Sequence, residues 1–333
     1  MKKFTIFTVI IDILVLACFI LVYLVPGFKE KIISTAMVTK THQWIAYVFY
    51  SEKDINEVTS ENKYIPLTDE VKLDDIVIDT KEKESYDNKY DEEILTRDPG
   101  NEDYKYLKVK VGKYDGHLVA IYDPSKVKLI ASKTFNTGTG QERIKDMCKR
   151  YNGLVCINGG RFNDTTGYGS DIPKGTLIQN GKIIWSDTSK ATNLIGFNND
   201  NKLVLATLTA QDAIKKGMRD ALQFGPFLIV NGKKLSYESK AGGYDRAARV
   251  AIAQRKDGVV LFLVTEGVHT SGPTLLEVIE VLEKYGAYNA ANLDGGTSAQ
   301  LVVKNKLMNK PKTVYGKVVA DGRRVVSGFG LLK

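Results

Sequence analysis

Residues 4–25 form a nearly unbroken apolar run, about 22 residues long and so long enough to cross a bilayer as a helix. A backbone in hydrocarbon has to satisfy its own N–H and C=O groups, which leaves a single segment no option but helix. Lys2 and Lys3 precede the run, and Lys29, Glu30 and Lys31 follow it. The end, Val22-Tyr23-Leu24-Val25-Pro26, lacks the small residues of a signal-peptidase site. The reading is an uncleaved signal-anchor over residues 1–28 and a membrane partner for the chain; the expectation of a domain outside the cytoplasm rests on function and not on this span. Flanking charge is too balanced to orient the span by itself.

The remaining residues divide by composition. Residues 32–50 carry an apolar stripe that includes Trp44, Tyr47 and Val48, as in a juxtamembrane helix or stalk. From 51 to 103 the chain is polar. Its part from 79 is rich in acid and lysine, contains Asp98-Pro99-Gly100, and reads as a linker. The expected domains are therefore an anchor (1–28), a juxtamembrane helix with an acidic linker (29–103) and a compact domain (104–333).

Within residues 104–333, short alternating segments are punctuated by turn dipeptides. Asn180-Gly181, Asn231-Gly232 and Asp257-Gly258 each separate two apolar stretches, the pattern of two-residue hairpins. Residues 141–151 and 274–285 read as helices. Leu275, Val278, Ile279 and Leu282 share one face, Thr274 and Glu277 form a T-x-x-E capping box, and Gly286 is a stop. Many strands with scattered helices predict an α+β fold with a mixed or antiparallel sheet core, preceded by a transmembrane helix and stalk. Cys148 and Cys156 read as two buried thiols more readily than as a bridge.

Polar groups recur where apolar strands end. Asn292-Leu293-Asp294-Gly295-Gly296-Thr297-Ser298 sets an acid after a strand, then two glycines and two hydroxyls. By itself this is a turn or a ligand-gripping loop. Asn158-Gly159-Gly160-Arg161, Thr265-Glu266-Gly267 and Asp245-Arg246-Ala247-Ala248-Arg249 repeat the construction. Two carboxylates at separate strand ends suit acid/base or nucleophilic work, and arginines hold phosphate in a bidentate fork. His269 reads as a solvated loop histidine and Glu277 as a cap. No zinc or H-E-x-x-H pattern is present, so no cofactor is identified; a divalent cation is left open but unsupported. A formal net charge of +8 suits an anionic partner, and nucleic acid is excluded for want of any RNA- or DNA-binding signature.

The ordered set Asn-Gly-Gly-x-Phe, Arg-x-Ala-Ile, a strand ending acid-Gly, Gly-x-Thr-Leu-x-Glu and Asn-Leu-Asp-Gly-Gly resembles the phosphodiester glycosidase family. The resemblance implies hydrolysis of a sugar-1-phosphodiester in a phosphorylated glycan or wall polymer. It implies Asp294 and Glu266 as the catalytic acids, and Asn158, Gly159, Gly160, Arg249 and Asn292 as binding residues, with Arg324 a late arginine. Arg161 stands where the family often has tyrosine, Glu266 where it has aspartate and Thr297 where it has a third glycine. The Glu266 and Thr297 departures keep in view a glycopolymer-binding protein without turnover, and a phosphosugar transferase is a third reading.

Overall fold

The computed structural model describes residues 2–38, 43–61, 63–164, 170–238, 243, 245–268, 271–313 and 315–333. The chain divides into two compact units, one of Met1–Ile65 with Ser236–Asp245, the other of Pro66–Leu235 with Arg246–Lys333.

The first unit is helical. α1 (Lys2–Leu24) is apolar all round, and Ile6–Leu24 within it is long and apolar enough to cross a membrane. α2 (Phe28–Val38), α3 (Gln43–Phe49) and α4 (Glu52–Glu61) follow. Ile33, Ala36, Ala46, Ile55 and Val58 are buried together with Val22 from the last turn of α1. Lys29 pairs with Asp54 at 2.7 Å and ties α2 to α4. Tyr64 and Ile65 pair antiparallel with Tyr237 and Ser236.

The second unit is α+β, and its described strands pair antiparallel throughout. A seven-stranded sheet runs in the order Lys233–Lys234, Phe227–Val230, Ala287–Leu293, Val250–Arg255, Val260–Thr265, Tyr114–Ile121, Tyr104–Val111. A five-stranded sheet orders Lys306–Leu307, Leu301–Val303, Gly153–Asn158, Ser327–Leu332, Val127–Ala131. A second five-stranded sheet is built on Thr192–Asn198 and Met218–Gln223. Val250–Arg255 is buried along its whole length, as a central strand covered on both faces must be. The hairpin turns lie at the Asn-Gly pairs, where Asn180 and Asn231 take φ of 50° and 52°. The helix predicted over 274–285 is Leu275–Lys284, with its capping box formed: Glu277 N–H donates to Thr274 Oγ1 at 3.2 Å and Thr274 N–H to Glu277 Oε2 at 2.8 Å. That accounts for Glu277 as a structural residue.

Three expectations change. The stretch read as a linker is folded into this unit, which begins at Pro66 and not near Tyr104. It contributes Leu67, Val71, Ile94 and Leu95 to the main core, and Lys89–Leu95 is a helix, α5, capped by the Asn88 side chain. Its acids are not simply solvated. Asp91 is buried against Arg255 at 2.7 Å, and Arg255 also donates to Asp257 and to the Tyr285 carbonyl. A composition rule sees only the surplus of charge, whereas a buried guanidinium needs those carboxylates. The helix expected over 141–151 shortens to α6 (Ile144–Arg150), because Glu142 and Arg143 pair as a short strand with Val325 and Arg324. Cys148 and Cys156, read as thiols, form a disulfide between α6 and the adjoining strand. α7 (Ala210–Lys215) completes the unit's helices.

Register decides what the seven-stranded sheet presents at one edge. Val250 lies opposite both Val264 and Leu293, and Val264 lies opposite His117. Two strands therefore end, and one begins, at the same level. Asp294, Arg249 and Glu266 all leave the sheet there.

Candidate active site

Asp294 is the first residue beyond its strand, and the glycines after it fold the chain back onto the neighbouring backbone. Gly296 N–H donates to the Ala248 carbonyl at 2.8 Å, and Gly296–Ser298 forms a single 3₁₀ turn. A Cβ on Gly295 would lie 2.5 Å from the Ala248 oxygen, and Gly296 has φ +57°. Only glycine permits that approach without strain. The turn and site readings of this heptad thus describe one object.

Asn158 fixes the same loop from the other side. Its side chain is wholly buried; Nδ2 donates to the Asp294 carbonyl at 2.6 Å and Oδ1 accepts from Gln300 N–H at 2.9 Å. The Gly159 carbonyl accepts from Asp294 N–H at 2.9 Å. Gly159 and Gly160 donate to the carbonyl and hydroxyl of Ser327. The Asn-Gly-Gly segment, expected to bind substrate, directs these polar groups to Asp294, Gln300 and Ser327.

The Asp294 carboxyl sits in a dense setting, and burial pushes it up to about 6. A hydrogen bond from Ser298 and the positive charges of Arg323 and Arg161 pull it back, while Asp164 adds to the rise. Arg161 is exposed, and Arg323 is mostly buried over the Phe162 ring and pairs with Asp164. The Nε of Arg323 is buried with no partner among the described residues. An acid that can hold or release a proton near neutrality, beside two guanidiniums, suits attack on a centre that expels a phosphate.

Arg324 does not join them. It is exposed, and its Nη1 donates to the Gln141 carbonyl at 3.1 Å. Arg324 lies in a strand paired with Glu142–Arg143. Its predecessor Arg323 reaches the carboxylate cluster instead. The Arg-Arg doublet was visible in the sequence, but which of the two faces inward depends on that pairing.

Glu266 lies at the same sheet edge but in other company. Its Oε1 accepts from Lys310 N–H at 2.9 Å and lies 3.4 Å from His117 Nε2, while His117 Nδ1 bonds the Tyr106 hydroxyl at 2.8 Å. Burial pushes this carboxyl up, but the His117 contact and the Lys310 N–H outweigh it and hold it below the usual glutamate range. The described bonds of the two acids have no partner in common.

Arg249 is buried, with N–H donating to Thr265 Oγ1 at 2.8 Å and Nε to the Pro273 carbonyl at 3.2 Å. Asn292 is buried as well; Nδ2 donates to the Gly225 carbonyl at 3.0 Å and Oδ1 has no partner among the described residues. Thr297 is partly exposed in the loop and Ser298 buried beneath it. His269 lies outside the described residues. Among the described residues, no three His, Cys, Asp or Glu side chains converge. His117, Tyr106, Asp164 and Arg323 are the residues that sequence reasoning missed.

A family model described as phosphodiester glycosidase matches residues 151–332, a span that includes Asn158, Asp294 and both late arginines. An uncharacterized prophage-derived protein of Bacillus subtilis is 28% identical over 208 residues, covering 60% of this chain and 32% of that protein. Mouse N-acetylglucosamine-1-phosphodiester alpha-N-acetylglucosaminidase is 24% identical over 216 residues, covering 59% of this chain and 41% of the enzyme. The chain thus spans between about a third and two fifths of these relatives. The solved catalytic domain of the zebrafish N-acetylglucosamine-1-phosphodiester alpha-N-acetylglucosaminidase, auto-inhibited by its pro-peptide, shares the fold. Its TM-score is 0.58 at 20% identity, over 69% of this chain and 82% of that one.

Proposed function

Because this chain belongs to the phosphodiester glycosidase family, we propose that it hydrolyses a sugar-1-phosphodiester, breaking the glycosidic C–O bond to release free sugar and a phosphomonoester. The observation that carries the reading is the Asp294 carboxyl, raised by burial to about 6 and flanked by Arg161 and Arg323. In the proposed step, water or Asp294 attacks the anomeric carbon, the C–O bond breaks, and the electron pair leaves with the phosphate. Asp294 acts as base, taking the water proton, or as nucleophile, in which case water then attacks the anomeric carbon, breaks the sugar–Asp294 bond and releases the free sugar. Arg161 and Arg323 stabilise the charge gained by the leaving phosphate. Phosphate is a good leaving group, so no strong general acid is needed opposite Asp294. Glu266, at the same sheet edge, orients sugar hydroxyls or water, and Arg249 and Asn292 lie beside Asp294 in the sheet. Gly295, Gly296, Thr297 and Ser298 form the loop that holds the acid.

In this reading the chain is anchored through residues 1–28 and acts outside the cytoplasm on wall or exopolysaccharide material. The apolar helix Ile6–Leu24 supports the anchor. The Cys148–Cys156 disulfide supports an oxidising compartment. The test is incubation of the detergent-solubilised chain with a synthetic sugar-1-phosphodiester. Release of reducing sugar and phosphomonoester is expected; binding without release would favour a glycopolymer-binding protein, and products formed only with an acceptor would favour a transferase.

A further inference from the structure

α3 is apolar on two faces, and the helical unit uses only one of them. Ile45, Ala46 and Phe49 turn toward the unit's core together with Tyr50. Trp44, Tyr47 and Val48 stand outward, 62%, 55% and 61% exposed. Their i, i+3, i+4 spacing makes one continuous stripe. A helix apolar all round belongs inside something larger than the helix itself.

What covers the outward stripe is indicated by where α3 is tied. Its end is bonded to the last turn of α1: the Tyr23 hydroxyl donates to the Phe49 carbonyl at 2.8 Å, and the Tyr50 hydroxyl to the Val22 carbonyl at 2.8 Å. Tyr23 is itself exposed, with its ring 4.7 Å from that of Phe19. These bonds hold α3, and with it the stripe, beside the end of α1, whose own surface is apolar. Trp and Tyr are the side chains that favour the boundary between headgroups and acyl chains. The adjoining charges are mixed: Lys29, Lys31 and Lys53 stand among Glu30, Glu52, Asp54 and Glu57. That mixture gives no preference for anionic lipid.

We propose that the Trp44–Tyr47–Val48 face of α3 lies in the membrane interface as a second lipid contact beside α1, held by apolar burial and not by charge. The proposal rests on the reading of α1 as a membrane span. The chain has two tryptophans, so Trp185→Phe leaves Trp44 as the sole indole. Cys18, within α1, is the only free cysteine and takes a bimane label. Full-length protein in nanodiscs of phosphatidylcholine brominated near the glycerol end of the acyl chain should show Trp44 quenched. Bromine near the methyl end should quench Trp44 less and the Cys18 label strongly, because Cys18 lies close to the middle of Ile6–Leu24. Adding phosphatidylserine, or raising salt tenfold, should leave Trp44 quenching unchanged. A quenched Cys18 label with unquenched Trp44 would overturn the interfacial placement and leave the span standing. Water-like emission would then mean an exposed face, and blue-shifted emission a face covered by a second copy of the chain. An unquenched Cys18 label would remove the span and the interfacial placement together.

Discussion

The buried Asn158 side chain donates to the main-chain carbonyl of Asp294 at 2.6 Å while accepting from Gln300 N–H. One amide thus joins the end of a strand in one sheet to the loop leaving another. Asn158→Ala leaves a buried carbonyl and a buried N–H without partners, a loss of about 2–4 kcal/mol. Chemical denaturation should record it as a lower midpoint at unchanged slope. A loss of activity without any loss of stability would instead make Asn158 a substrate contact.

The two late arginines should separate cleanly. Arg323 lies over Phe162, paired with Asp164 and within electrostatic reach of Asp294, while Arg324 is exposed toward the Gln141 carbonyl. Arg323→Ala is expected to lower kcat/KM by about a hundredfold. Arg324→Ala should stay within about threefold of wild type, as for an exposed residue on a short edge strand. Steady-state rates on a sugar-1-phosphodiester decide the matter, and equal losses would contradict the assignment.

Glu266 should matter less than Asp294. Glu266→Gln is expected to cost about ten- to a hundredfold in kcat. Its carboxyl lies below the ordinary glutamate range in the fold, so the ionised form stabilises the native state. That contribution is present above the unfolded-state value of about 4.3 and is lost as pH falls through the lower folded value. Wild type should exceed Glu266→Gln in stability by about 0.5–1.5 kcal/mol at neutral pH, and the gap should close in acid. His117→Ala should narrow the gap at neutral pH as well.

The folded body is expected to need residues 66–103. A fragment starting at Tyr104 would uncover the core surface under Leu67, Val71, Ile94 and Leu95 and remove Asp91 from buried Arg255. The cost should exceed about 5 kcal/mol and lower Tm by more than about 10 °C relative to a fragment starting at Pro66. Equal melting of the two would restore the linker reading.

The parts of the fold legible in the sequence were those written locally. Asn180-Gly181 and Asn231-Gly232 announce their turns because positive φ is required there, and Thr274 with Glu277 announces a helix start. The Asp294 loop was legible for the same reason. What was not legible depends on partners far along the chain. Asp91 reads as one more linker acid until Arg255 stands against it, 164 residues away. Arg323 and Arg324 are equivalent until strand pairing turns one outward. His117 gains a role because register sets it opposite Val264, two residues before Glu266.

The most direct test is the pH–rate profile of wild type beside Asp294→Asn, with release of sugar from a sugar-1-phosphodiester as the readout. Asp294 is raised to about 6, so the neutral acid is favoured by the fold and ionisation costs stability as pH rises through that value. Acting as base or nucleophile, Asp294 gives wild-type kcat/KM a rising limb with an apparent pKa near 6. Asp294→Asn should lose about a thousandfold or more in rate while becoming about 1–2 kcal/mol more stable at alkaline pH, freed of a buried charge. A variant that keeps activity within about tenfold of wild type, or a wild-type rate that is flat across the range from about pH 5 to 7, would contradict the account.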